Sequence, residues 1–265
     1  MKRRDFLKTS SIAGGAVLSS WAGIEALAQE ASSREFYELR TYEMQTGNRK
    51  AALNEYLEKA FIPAMNRLGS RPIGVFTVVS GSNALNLFVL APHASLESFL
   101  AAPGRLAADL EYQKAGATYL SATIDNPAYT RYASTLLWAF KNVPKVRIPA
   151  ETAGNKPRIF ELRIYESHNE PTALKKIEMF NEGGEIGIFD KVGLRSVFFG
   201  QTLIGQRQPN LVYMTVHQDM VAREKTWEAF RNSPDWKALS SNPVYANTVS
   251  ATTVLFLRPA AYSQI

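Results

Sequence analysis

One short phrase occurs twice in the sequence, and this repetition narrows the possible folds more than any other feature. Residues 37–43 read YELRTYE, and residues 160–166 read FELRIYE, 123 positions further along the chain. Each phrase opens a run of the same order: strand, helix, two strands, helix and strand. A βαββαβ unit is the ferredoxin-like split motif, a four-stranded antiparallel sheet with both helices on one face. The sequence therefore predicts an α+β chain of two such repeats.

The hydrophobic pattern places the elements of both repeats. The predicted strands cover residues 36–43, 73–81, 85–91, 134–140, 158–166, 194–200, 210–216 and 252–258. In the first repeat, helices are predicted over 48–68 and from Ser95 onward, and Pro103-Gly104 interrupts the helix that starts at Ser95. In the second repeat, a helical region is predicted over 172–192, with a break at Gly183-Gly184. A further helix carries Trp227 and Phe230. A hairpin turn is predicted at Gly81, Ser82 and Asn83. Between the repeats, Phe99 and Pro103 are predicted to correspond to Phe230 and Pro234.

A single repeat of this kind leaves one face of its sheet uncovered. Two repeats in one chain can cover both faces by packing sheet to sheet, and burying apolar area gains roughly 25 cal/mol per Å². We therefore expect an intrachain dimeric α/β barrel with helices outside. The predicted domains are 29–141 and 158–265, joined by a proline-containing linker over 142–157.

The first 28 residues are predicted to be a signal and not part of the fold. Arg3-Arg4 followed by Phe6-Leu7, an apolar stretch and Ala26-Leu27-Ala28 are typical of a twin-arginine signal peptide with its cleavage site. Its removal would lower the formal net charge from +6 to +4, which gives little support for a nucleic acid or membrane partner. With no cysteine in the chain, disulfides and thiolate metal sites are excluded. We expect an exported, periplasmic or extracellular protein.

Alternation along the two heptads predicts which side chains share a face. The apolar row, Tyr37 and Leu39 with Phe160 and Leu162, is expected to pack under the helices. The polar row is expected to point into the space between the two sheets: Glu38, Arg40, Tyr42, Glu161, Arg163 and Tyr165.

Two interpretations of this polar row are open. Glu38 pairs with Arg40 or Arg163, and Glu161 with the remaining arginine, as a structural network that fixes how the sheets dock. Alternatively, the row lines a cavity in which arginine holds an anionic ligand and tyrosine donates a hydrogen bond.

The heptads also carry a family resemblance. YELRTYE, FELRIYE, the segment MFNEGGEIGIFDKVGLRSVFFG at 179–200 and SPDWKAL at 233–239 resemble the NIPSNAP family, over two tandem domains. The resemblance implies a dimeric α/β-barrel fold and no defined reaction. Family members are described mostly as interaction or trafficking-associated proteins, whereas the wider barrel superfamily includes cofactor-free monooxygenases, haem enzymes and isomerases.

The candidates for chemistry are few. His93 and His168 are predicted to be solvated loop residues, whereas His217 ends a strand and is the best candidate for a general base or an axial ligand. No zinc-site spacing, nucleophile elbow or dinucleotide fingerprint is present. No metal or cofactor is therefore predicted, and haem would require His217.

The leading functional prediction is a protein that binds a small ligand or a protein partner, with homo-oligomers compatible with the fold. The alternative is a cofactor-independent monooxygenase or isomerase, in which Tyr42, Tyr165 and His217 handle protons. That alternative requires an interior cavity of about 300 Å³ or more, with titratable groups pointing into it.

Overall fold

A computed structural model of the protein describes residues 34–44, 47–79, 85–150 and 157–265. In these ranges the strands are β1 Phe36–Glu43, β2 Gly74–Val78, β3 Leu87–His93, β4 Arg131–Ala139, β5 Ile159–Glu166, β6 Arg195–Ile204, β7 Asn210–His217 and β8 Ala251–Pro259. The helices of the first repeat are α1 Gly47–Tyr56, α2 Ile62–Arg67, α3 Leu96–Ala108, α4 Leu110–Ala115 and α5 Ala117–Leu120. Those of the second are α6 Glu170–Asn181, α7 Glu185–Lys191, α8 Met220–Asn232 and α9 Pro234–Ser240.

The predicted order of elements is confirmed in both repeats. The predicted signal over 1–28 and the turn at Gly81, Ser82 and Asn83 lie outside the described residues and stay predictions. Within the described ranges, no helix has both the length and the apolar character needed to cross a bilayer.

One helix prediction is wrong. Helix α3 runs on past Pro103 to Ala108, although proline removes one backbone donor from the helix. Ser95 and Ser98 form a reciprocal capping box at its start. Ala102 and Leu106 bury its inner face, and these contacts hold the helix together through the proline.

The first helical region differs between the repeats at matching positions. In the second repeat it is broken between α6 and α7 around Gly183-Gly184, as predicted. In the first repeat the helix continues but widens to i→i+5 hydrogen bonding over Leu57–Phe61. Both regions end at a glycine in the left-handed conformation, Gly69 with φ +84° and Gly193 with φ +78°. Equivalent positions are thus 124 residues apart here.

The eight strands form one closed antiparallel barrel in the order β1-β3-β2-β8-β5-β7-β6-β4. Each repeat contributes four neighbouring strands, and the repeats meet where β2 pairs with β8 and where β4 pairs with β6. The predicted sheet-to-sheet arrangement within one chain is therefore confirmed. Closure leaves no sheet edge unpaired around the ring.

The barrel interior is packed with apolar side chains from both repeats. Phe160 and Phe76, from different repeats, meet edge to face with ring centroids 4.9 Å apart. The interior cluster includes Tyr37, Leu39, Phe76, Phe88, Leu90, Leu137, Phe160, Leu162, Phe198, Val212, Met214 and Leu257. The prediction that the polar row lines a cavity between the sheets is therefore wrong, because the apolar row of the heptads packs there. A smaller cavity of about 240 Å³ remains at one end of the barrel, where Leu39, Thr41 and Ile164 belong to its lining.

The face prediction for both heptads is inverted. Tyr42 packs with Leu53 and Tyr56 of the first repeat's helices, and Tyr165 packs against the helical cluster of the second repeat. The polar row thus faces the helices, and the apolar row faces the interior. The physical reason is that buried polar groups need hydrogen-bond partners, and side chains of the helices can provide them. Inside a narrow barrel the neighbouring strands provide apolar side chains instead.

Candidate functional site

The two glutamates of the heptads each pair with the arginine two residues further along the same strand. Glu38 Oε1 lies 2.7 Å from Arg40 Nε, and Glu161 Oε1 accepts a hydrogen bond from Arg163 at 2.6 Å. The predicted pairing is thus found within each repeat, but the pairs lie between sheet and helices and do not join the two sheets. The surroundings of the two pairs differ, and this difference defines the candidate site.

In the second repeat the glutamate is fully enclosed by donors. Glu161 is 0% exposed, and besides Arg163 it accepts from Arg223 at 2.8 and 2.9 Å and from Trp227 Nε1 at 2.8 Å. Burial alone would raise the pKa of Glu161, but the Arg223 and Arg163 guanidinium groups and the Trp227 indole hold it below its usual range. Glu161 is therefore a carboxylate held at the centre of a closed network.

Aromatic side chains fill the rest of this space. The Arg163 guanidinium lies over the Trp227 ring, 4.6 Å from its centroid. The Tyr165 hydroxyl contacts the Tyr213 hydroxyl at 2.8 Å, and the Phe189 ring packs against both Tyr213 and Trp227. The predicted anchors Glu161, Arg163 and Tyr165 are thus parts of the packed interior of the second repeat.

In the first repeat the equivalent space is an open pocket of about 720 Å³ between the sheet and helices α3 to α5. Arg40 and Tyr42 of the sheet form part of its wall, and Gln113 and Ser121 add polar groups. We call it the tyrosine pocket, since six tyrosines line it. The tyrosines are Tyr42, Tyr56, Tyr112, Tyr119, Tyr129 and Tyr132.

The tyrosines hold one another in place. Tyr56 and Tyr119 stack with centroids 3.7 Å apart and an interplanar angle of 8°, and the Tyr56 and Tyr112 hydroxyls are 2.9 Å apart. Tyr42 packs edge to face with Tyr129 at 5.4 Å. Because these rings pack against one another, they form aromatic walls that also carry hydroxyl groups.

Two of these phenols, Tyr42 and Tyr119, are proton donors at neutral pH. Burial raises the pKa of Tyr42, although the Arg40 guanidinium works in the opposite direction. Burial and the neighbouring tyrosines also raise the pKa of Tyr119. Both hydroxyls therefore keep their protons at pH 7 and can donate a hydrogen bond to a ligand oxygen.

Arg40 is the charged residue of the pocket wall. Its guanidinium lies over the Phe61 ring at 4.8 Å, and Nη1 is 3.4 Å from the Tyr42 hydroxyl. Burial opposes the charge, but the Glu38 carboxylate raises the pKa of Arg40 above its ordinary value. Arg40 is thus a permanent cation held at the base of an aromatic pocket.

The repeat period explains why one pocket is open and the other closed. His93 and His217 end equivalent strands, and the helix N-caps Ser95 and Asp219 each follow two residues later. Counting from these caps, Trp227 in α8 is matched by Pro103 in α3. Proline carries no aromatic ring that could cover the arginine as Trp227 does, and Pro103 and Arg40 both line the open pocket.

This register corrects the predicted match between the repeats. Phe99 and Pro103 do not correspond to Phe230 and Pro234, because the caps place Phe99 opposite Arg223. Phe99 packs edge to face on His93 at 5.3 Å, whereas Arg223 reaches Glu161. The sequence prediction matched Phe with Phe and Pro with Pro and did not keep the spacing between the repeats constant. It therefore did not show that Trp227 in the second repeat corresponds to Pro103 in the first.

The three histidines differ in their surroundings. His217 is buried, its Nε2 is 3.0 Å from Thr215 Oγ1, and burial lowers its pKa to about 4. His93 is also buried, 3% exposed, and the prediction of a solvated loop residue is wrong for it. His168 is exposed, as predicted.

The residues of the tyrosine pocket do not fit a haem held by histidine. Histidine is not among its lining residues, and His217 lies in the other repeat beside Glu161. The haem alternative therefore has no support from the geometry of this pocket.

Most of the pocket residues were missed in the sequence. Arg40 and Tyr42 were predicted as ligand anchors and do line the pocket, whereas Tyr56, Tyr112, Tyr119, Tyr129 and Tyr132 were not identified. The available signal was local composition, since four of these five tyrosines fall within residues 112–132.

Comparison with known proteins places the chain in a family. The sequence model of the NIPSNAP family matches residues 37–126 and 160–264. No curated protein matches the sequence.

Solved structures agree on the fold. A candidate monooxygenase from Lactobacillus acidophilus superposes with a TM-score of 0.58 at 9% identity, over 85% of this chain and 94% of that one. A candidate monooxygenase from Fusobacterium nucleatum gives 0.54 at 10% identity, over 85% and 92%. A NIPSNAP-like domain protein from Burkholderia xenovorans is 22% identical over 41% of this chain and 90% of its own, with a TM-score of 0.36. The first two superpositions show that the fold is that of the dimeric α/β barrels.

Proposed function

This chain belongs to the NIPSNAP family, and we propose that it binds a planar aromatic small molecule in the tyrosine pocket of its first repeat. The observation that carries the proposal is the contrast between repeats: the heptad arginine Arg163 is covered by Trp227 in the second repeat, whereas Arg40 and Tyr42 line an open pocket of about 720 Å³ in the first. Ligand pockets of about 300–1,000 Å³ with apolar walls and a few polar groups are typical of small-molecule sites.

The wall chemistry selects the ligand class. Stacked tyrosine rings favour a flat aromatic body, and Leu106, Leu120 and Pro103 add apolar surface. Arg40 and the protonated Tyr42 hydroxyl donate hydrogen bonds, so an oxygen substituent such as a carbonyl, phenol or carboxylate suits this end of the pocket.

The alternative, a cofactor-independent monooxygenase or isomerase, needs a group that removes a proton from its substrate. The pocket offers phenols whose pKa values are raised, and these donate protons at pH 7 rather than accept them. Of the other predicted proton carriers, Tyr165 and His217 lie in the second repeat. The geometry therefore supports binding better than catalysis.

The test is to close the pocket with the side chain that closes its counterpart. Pro103→Trp is expected to weaken binding of 1-naphthol at least tenfold, because an indole would take up the ligand's space. Binding is measured by saturation-transfer NMR on the naphthol signals. The variant should fold, since tryptophan fits a helix interior better than proline.

A matched control places tryptophan on the same helix but facing solvent. Leu100 is 67% exposed, and Leu100→Trp should bind 1-naphthol as the unmodified protein does. Equal binding by Pro103→Trp and Leu100→Trp would contradict the assignment of the tyrosine pocket.

A further inference from the structure

The guanidinium of Arg40 keeps hydrogen-bond donors that the protein does not use. Glu38 approaches it most closely at Nε, at 2.7 Å. At the other end of the group, Nη1 donates to the Tyr42 hydroxyl over a long 3.4 Å, and no residue in the described ranges accepts a hydrogen bond from Nη2. Arg40 lines the tyrosine pocket. Its two Nη groups are therefore the part of the guanidinium that can bind a ligand there.

Several other polar side chains of the pocket wall already have protein partners. The Tyr56 and Tyr112 hydroxyls pair with each other at 2.9 Å. The Ser121 hydroxyl and the Gln113 amide each donate to a nearby backbone carbonyl. Hydrogen bonds from a charged donor are also roughly twice as strong as those from a neutral one. Arg40 is therefore the strongest donor that the wall offers to a ligand.

The charge of the lining favours a negative group beside Arg40. Among the described residues that line the pocket, Arg40 is the single charged side chain, and none is an aspartate or a glutamate. Tyr42 and Tyr119 have raised pKa values and stay neutral at pH 7, so neither repels an anion. Because the Tyr42 oxygen accepts from Arg40, its own proton is directed to another acceptor. Arg40 and Tyr42 can thus donate to the same anionic group.

We infer that the ligand is an aromatic acid, whose carboxylate pairs with the two Nη groups of Arg40 and accepts a further hydrogen bond from the Tyr42 hydroxyl. This inference rests on the proposed function and narrows it from oxygen-bearing aromatics to those with an ionised carboxylate. The planar guanidinium presents parallel N–H groups that match the two oxygens of a carboxylate. The Phe61 ring, 4.8 Å from the guanidinium, stabilises the position of Arg40.

The probes 1-naphthoate and 1-naphthamide test the charge directly, because they share the ring system and nearly the same shape, and the amide is neutral. We expect the unmodified protein to bind 1-naphthoate about tenfold or more tightly than 1-naphthamide at pH 7, as for a charge-assisted hydrogen bond. Titrations followed by saturation-transfer NMR on the ligand signals give both affinities.

Two variants assign the preference to Arg40. In Arg40→Met the preference for 1-naphthoate should fall to about twofold or less, because the cation is gone. Arg105→Met is the matched control, since it removes one positive charge from an exposed position on α3 that is not in the pocket lining. It should keep the full preference. Circular dichroism confirms that both variants are folded.

Equal binding of 1-naphthoate and 1-naphthamide by the unmodified protein would overturn the inference without needing any variant. A preference that persists in folded Arg40→Met would overturn it as well. If 1-naphthol still binds and Pro103→Trp still weakens that binding, the proposed function stands while the carboxylate assignment falls. If none of the three naphthalene compounds binds, both are contradicted.

Discussion

Replacing Glu161 with alanine is expected to lower the free energy of unfolding by about 3–5 kcal/mol, the range for removing one partner of a buried ion pair. The variant leaves two guanidinium groups, Arg163 and Arg223, and the Trp227 N–H facing an empty acceptor position. Urea unfolding followed by far-ultraviolet circular dichroism at pH 7 measures the change.

The first repeat provides the control for this variant. Glu38→Ala should cost clearly less, because Arg40 lies at the wall of an open pocket where water can replace the lost carboxylate. If Glu38→Ala and Glu161→Ala destabilise equally, the two repeats do not differ in the way that the contacts show.

The second large effect is expected inside the barrel. Phe160→Ala should lower the free energy of unfolding by about 3–5 kcal/mol, because it leaves a cavity in a packed core. Phe160 is 0% exposed and meets Phe76 of the other repeat. The same urea titration measures this change.

Ile164 lies on the same face of β5, four residues further along the strand, where it is partly exposed and lines a cavity of about 240 Å³ at one end of the barrel. Ile164→Ala should therefore cost less than about 2 kcal/mol. A loss below about 1 kcal/mol for Phe160→Ala would indicate a hollow interior and restore the prediction of a cavity between the sheets.

The fold could be predicted because its signals are periodic and long. Two heptads at a fixed spacing establish the repeat, and each strand has a matching strand in the other copy. Even the ends of the first helices correspond, with Gly69 and Gly193 both in the left-handed conformation. Sheet closure then follows from the uncovered face of each unit.

The orientation of the heptads could not be predicted, because both faces of the barrel wall are buried. Alternation separates Leu162 from Arg163 but does not say which of them faces the helices. The decision depends on where partners for Glu161 are available, and Arg223 and Trp227 lie about 60 residues further along the chain.

The pocket was hidden for a related reason. The pocket exists because the first repeat has Pro103 at the position where the second repeat has Trp227. This difference becomes visible only when the two repeats are aligned by their strand ends and helix caps. A proline within a predicted helix usually indicates an interruption. Here helix α3 continues through Pro103, and Pro103 lines the same open pocket as Arg40.

The most direct test of a ligand site in the first repeat is native mass spectrometry of the protein purified from its own host. Three samples are compared: the unmodified protein, Arg40→Ala and Arg163→Ala. We expect a small aromatic molecule bound to the unmodified protein and to Arg163→Ala, and its loss from Arg40→Ala. A ligand that survives in Arg40→Ala but is lost from Arg163→Ala would contradict a ligand site in the first repeat, as would an unmodified protein without bound ligand that also fails to bind 1-naphthol.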